Sequence, residues 1–167
     1  KKRGALKNFK RSCKFIVAYS DNYTQGVYYL SSVANKVLLN PKGAIEWRGL
    51  ASQPLFLKGL LEKLGIEMQV FRVGTYKAAV ETFSATEMSP ANREQVTAYI
   101  TSIWNEIITD VAASRKISVD SLNNYANRML MFYPAEQTVK SGMADTLIYK
   151  NDVRDYLKQL AKIDKDD

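Results

Sequence analysis

The chain has 167 residues, 46% of them hydrophobic, with 24 Lys or Arg, 17 Asp or Glu, one Cys and no His. That length suits a single domain with a real core, while the missing imidazole excludes Ser-His-Asp and Cys-His catalysis and any HExxH zinc site. A lone Cys13 excludes an internal disulfide and a CxxC motif, and no run approaches the ~18 apolar residues of a bilayer span.

The charge is uneven. Lys1, Lys2, Arg3, Lys7, Lys10, Arg11 and Lys14 stand in the first fourteen residues without an acid, and the remaining basic and acidic residues balance. A nucleic-acid binder spreads its cations over a face interleaved with aromatics, so the neutral body argues against that partner. The basic start reads as a solvated helix face, with a membrane-surface or acidic-partner patch as the alternative. No apolar run of signal-peptide length follows it.

In chain order, residues 4–11 read as the end of a short helix, and Lys14 to Tyr19 as a buried strand. Asp21-Asn22 supplies cap chemistry for a helix over about 23–34. Lys36 to Leu39 is a second strand, closed by the turn Asn40-Pro41-Lys42-Gly43, and Ile45 to Leu50 is a candidate third. Pro54 opens a helix that Gly65 ends, and a strand follows from Ile66 to Val73. Ser89-Pro90 signals the start of a helix of about seven turns. Its apolar stripe is Val96, Ile100, Ile103, Trp104, Ile107, Ile108 and Val111. A helix near 118–127, an apolar stretch Met129 to Tyr133, a helix from Pro134 to Lys140 and a terminal helix near 151–162 complete the chain. Strands alternating with helices predict an α/β class with a largely parallel sheet.

No GxGxxG, GxxxxGK[ST], GxSxG or Ser-x-x-Lys is present, so cofactor-binding and hydrolase-elbow arrangements fail on spacing. Carboxylate pairs such as Glu81 with Glu87 read as exposed, solvated acids. Lysine remains as a general base. Its ordinary pKa is ~10.4, and holding it neutral near pH 7 means disfavouring the cation by roughly 4 kcal/mol, through burial or a positive field. Phe71-Arg72-Val73-Gly74-Thr75-Tyr76-Lys77-Ala78-Ala79-Val80 meets that demand better than any other lysine environment in the chain. If a helix opens at Thr75, its dipole acts in the same sense. The competing reading is an ordinary ion pair between Lys77 and Glu81, four residues on.

The string FRVGTYKAAVETF, with YTQGVYYLSSVANKVLLNPKGAIEWRGL before it and MSPANREQ after it, resembles the signal peptide peptidase A (protease IV) family. The likeness runs from about Ala5 to the end. It implies a crotonase/ClpP-like α/β fold and a Ser/Lys dyad without metal or organic cofactor. In the tandem form of the family, the first copy contributes the lysine base and the second the serine, and the likeness is to the first. Lys77 stands at the family's lysine position. Where the serine-bearing copy has Ser-Gly-Gly-Tyr, this chain has Gln25-Gly26-Val27-Tyr28, so Gln25 occupies the nucleophile's place. Ser31 and Ser32 lie too far along the helix to replace it.

The resemblance thus implies that residues 1–167 are one domain, a fragment of the N-terminal repeat of a longer envelope peptidase, lacking the family's earlier strands and its second copy. The fragment alone is expected to be inactive. Expected partners are peptide substrates such as signal peptides, the second repeat, further copies in a homo-oligomer, and a membrane reached through a segment outside these residues at the extracytoplasmic face. Gly49, Leu50, Gly74 and Tyr76 are candidate substrate contacts. Ile45 to Ala51 and Phe71 to Gly74 are candidate groove walls, ordinary core strands being the alternative. A second reading is a non-catalytic oligomer-building module, using the long helix and exposed aromatics such as Tyr28 and Tyr29. A crotonase-type acyl-CoA enzyme is the weakest reading, since no CoA-directed feature is present.

Overall fold

The computed structural model describes residues 1–12, 14–69 and 80–162. They form two compact units, one of residues 1–49 with 107–167 and one of residues 50–106.

The first unit is built on a three-stranded parallel sheet. Strand β1 (Val17–Ser20) pairs with β2 (Lys36–Leu39) in the register Val17↔Lys36 to Ser20↔Leu39. Strand β2 pairs on its other edge with β3 (Thr146–Leu147). As the central strand, β2 has neighbours on both edges, and Val37, Leu38 and Leu39 have no exposure. That burial is why its sequence is a continuous apolar run rather than an alternation. The expected strands at 14–19 and 36–39 are therefore present, the first starting later than its sequence suggests. Residues 45–50 make only an isolated parallel bridge, Tyr23↔Ile45.

Helix α2 (Gln25–Ser31) is capped by Thr24, whose hydroxyl accepts from the Val27 N–H. The expected cap, Asp21-Asn22, is used otherwise. Asp21 accepts from the Tyr19 hydroxyl and the Asn40 amide, and the Asn22 side chain accepts from the Ala44 N–H, so both brace the turn after β2. Three aromatics fill the core beneath α2. Tyr28 meets Tyr23 and Trp47 edge-on, at centroid distances of 6.1 and 5.8 Å. Each such pair adds about 0.5–1.5 kcal/mol beyond area burial. Their polar tips are satisfied: Tyr23 donates to the Leu38 carbonyl, Tyr28 to that of Met143, and Trp47 to that of Leu122. Burial pushes both phenols far above the ordinary tyrosine range, so they stay neutral donors.

Helix α1 (Lys2–Arg11) and its flanks present a solvated basic face, with Lys1, Lys2, Lys7, Lys10, Arg11 and Lys14 exposed, and depart from the expectation at one residue. Arg3 is buried. Its guanidinium donates to the Tyr29 and Asp110 carbonyls and to the Ser32 and Ser114 hydroxyls, pairs with the Asp110 carboxylate at 3.2 Å and lies over the Tyr29 ring. Lys7 joins Asp110 at 3.0 Å, and Lys10 donates to the Val33 carbonyl. Three cations of the basic start thus fasten α1 to the fold.

The second unit holds α3 (Lys58–Lys63) and the short α4 (Glu81–Ser84). Gly65 ends α3 as expected, at φ +69°, with the Ile66 N–H returning to the Leu61 carbonyl. Residues 66–69 are not strand, and the rest of the strand expected over 66–73 lies outside the described residues. Helix α5 (Pro90–Arg115) starts where Ser89-Pro90 places it, the Ser89 hydroxyl accepting from the Asn92 N–H. Every residue of its apolar stripe is at least partly buried, and Ile108 and Val111 fully so. Returning to the first unit, α6 (Val119–Asn127), α7 (Ala135–Lys140) and α8 (Val153–Ala161) follow, close to their sequence signals.

Candidate active site

The chain enters α2 from an extended segment that begins a parallel ladder. Tyr23 donates to the Ala44 carbonyl and accepts from the Glu46 N–H, at 2.9 and 2.8 Å. In a parallel ladder bonds step along one strand by two residues, so the next donor in register is the Arg48 N–H. By then the other backbone has turned into α2, and the side chain of Gln25 takes its place. Its Oε1 accepts from the N–H groups of Arg48 and Gly49 at 3.0 and 3.1 Å. Its Nε2 donates to the Gly49 carbonyl at 2.9 Å. All three partners are backbone groups, and none can take a proton from a nucleophile at this position.

Gly49 sits at φ +82°, a conformation that favours glycine, and Leu50 beside it in sequence is 40% exposed. Lys77, Gly74 and Tyr76, the other candidate site residues, lie outside the described residues.

Glu81 is not the exposed acid expected from sequence. It is 4% exposed, and its carboxylate accepts from the Ser89 N–H, the Ser89 hydroxyl and the Asn92 amide at 3.2, 2.5 and 2.8 Å. It therefore fastens α4 to the N-terminus of α5, where a negative charge also meets the helix dipole favourably. Glu87, its suggested carboxylate partner, is exposed. No group of His, Cys, Asp and Glu able to hold a metal is present among the described residues, and no described helix is long and apolar enough to cross a membrane.

The model of peptidase family S49 matches residues 8–164. The chain belongs to peptidase family S49. This membership gives the fold its class, α/β of the ClpP-like kind, with the small parallel sheet flanked by helices as its visible part. Within the family, the chain is 39% identical to Protease 4 of Salmonella typhi over 96% of its own length and 25% of that protein's. It is 38% identical to Protease 4 of Haemophilus influenzae over 76% of its length and 21% of that protein's. It is 30% identical to the chloroplastic serine protease SPPA of Arabidopsis thaliana over 98% of its length and 24% of that protein's. The chain thus spans about a quarter of the length of these relatives.

Two arrangements escaped the sequence. The pairing of the Gln25 carboxamide with Arg48 and Gly49 joins residues more than twenty apart, and no local pattern announces it. The exposed aromatics proposed for subunit contacts are also corrected. Tyr28 has no exposure, and the Tyr29 hydroxyl donates to the Asp110 carboxylate at 2.6 Å.

Proposed function

We propose that this chain is the lysine-bearing part of a bacterial envelope serine endopeptidase that degrades cleaved signal peptides. In this reading it is a single domain, the first of two repeats, and is inactive alone. The observation that carries the proposal is at position 25. The resemblance implies a nucleophile at this position in the serine-bearing copy, whereas here a glutamine stands, with its carboxamide bound to backbone. Coverage of about a quarter of Protease 4 leaves room for a second copy to supply the serine.

In the reaction, neutral Lys77 takes the proton from the serine hydroxyl of the second repeat as that oxygen attacks a peptide carbonyl. Backbone N–H groups hold the oxyanion, and Lys77 then returns its proton to the leaving amine. Substrates are extended apolar peptides bound along a strand edge, with Leu50, Gly74 and Tyr76 as contacts. Gly49 has both backbone hydrogen-bonding groups taken by Gln25 and offers none to a peptide. No metal or organic cofactor is needed. The domain works on the extracytoplasmic side of the inner membrane, anchored through another part of the protein and assembled as a homo-oligomer.

Exchange of Lys77 for Met in the full-length protein tests this. Peptide hydrolysis is expected to vanish with oligomer size intact. Retained turnover refutes the base assignment and favours a second reading, a non-catalytic module that builds the oligomer. Exposed apolar residues of the second unit favour that alternative: Leu60 and Leu64, one turn apart, with Leu55 and Ile66.

A further inference from the structure

We propose that the Gln25 carboxamide is a built-in substitute for a substrate peptide unit, closing the Arg48–Gly49 edge of this copy against extended peptides. A side-chain amide has the same donor and acceptor as a backbone amide. Here it stands where the parallel ladder calls for one. The Ala44 carbonyl and the Glu46 N–H bond to Tyr23, and the Arg48 N–H, next in register, bonds to Gln25 Oε1. Gln25 Nε2 then returns to the Gly49 carbonyl, so both polar groups of Gly49 are occupied from within the chain.

An open strand edge is a template for any extended segment. A serine at position 25 ends at Oγ, two atoms short of the reach of a glutamine amide, and leaves that template open. Glutamine fills it. The partly buried side chain needs no ordering from outside, so a peptide that replaces it must first break three hydrogen bonds. Gln25 is thus a specificity-determining residue: it keeps peptides off the Arg48–Gly49 edge and leaves them to the groove served by Lys77. The inference rests on the reading of the protein as a peptidase.

The test uses the full-length protein carrying Lys77→Met, with hydrogen exchange read residue by residue at Arg48 and Gly49. With Gln25 in place, both amides are expected to exchange slowly and to ignore an extended, N-acetylated decapeptide of Leu and Ala. In Gln25→Met, which keeps the side chain's length and bulk, both should exchange about tenfold faster or more, the loss of roughly one net hydrogen bond each. The decapeptide should then restore their protection. In Gln25→Glu, which keeps the acceptor, they should stay slow. The proposal is overturned if Gln25→Met leaves the two amides unchanged, if the decapeptide fails to protect them in that variant, or if it protects them equally with Gln25 present. Turnover surviving in Lys77→Met strikes only the base assignment, because exchange at these two amides without peptide still reads Gln25.

Discussion

Arg115 and Asp145 form an ion pair at 2.9 Å that joins the end of α5 to the sheet. The same Asp145 oxygen accepts from the Val37 N–H of the central strand, and Arg115 also donates twice to the Gly142 carbonyl. Arg115 is nearly fully buried, so removing its partner leaves a desolvated charge. Asp145→Asn is expected to cost about 1–3 kcal/mol, and Arg115→Ala more, since three acceptor contacts go with it. Urea unfolding midpoints of the two variants measure this; a shift within error for both would show that the pair holds nothing.

The Arg3–Asp110 cluster gives stability a pH dependence. The hydrogen bond from Tyr29 holds the Asp110 carboxyl below the usual carboxylate range, with Lys7 and Arg3 acting in the same sense against partial burial. A carboxyl whose folded pKa is depressed stabilises fully above its unfolded value, about 3.9, and loses that contribution as pH falls through the lower folded value. Asp110→Asn should therefore unfold more easily at pH 7, by about 1–3 kcal/mol. The gap should narrow as both proteins are taken below about pH 4. A gap constant with pH would contradict the role given to this carboxylate.

Two glycines should respond oppositely to alanine. A Cβ at Gly43 would stand 1.8 Å from the Asp21 carbonyl oxygen, a backbone atom that yields only if the turn moves. Gly43→Ala should destabilise by about 2 kcal/mol or more. At Gly26, in the first turn of α2, a Cβ meets nothing within 4 Å. Gly26→Ala should be neutral or stabilise by up to about 1 kcal/mol, since alanine is the better helix former. Thermal unfolding separates them, at about 2–4 °C per kcal/mol for a chain of this size.

Placing a serine at position 25 should not create catalysis. Gln25→Ser frees the Arg48 and Gly49 N–H groups, but the three groups that contact Gln25 are backbone N–H and C=O, none of them a base. Exposed to a serine-directed phosphonate, this chain with Gln25→Ser should label no faster than unaltered chain; rapid labelling at residue 25 would show an unsuspected base.

Much of the fold was legible because its signals are local. The run Lys36 to Leu39 is strand to the residue, Gly65 caps α3, and Ser89-Pro90 opens α5. Strand β3 was missed because two residues, Thr146 and Leu147, carry no periodicity; only pairing with Leu38 and Leu39 makes them a strand. The third strand expected at 45–50 shrank to one bridge because its neighbour turns into α2 after Tyr23.

By itself the sequence determined the α/β class, the central strand at Lys36 to Leu39 and the helices from Ser89-Pro90 onward, for these follow from residue identity and short-range pattern. Tertiary structure alone decided the partners of the polar groups. It buried Arg3 and Glu81, which looked solvated, and gave the Gln25 amide to Arg48 and Gly49. The physical reason is desolvation: a polar group taken from water must find a partner, and the one it finds is whatever the fold has brought near, at any distance along the chain.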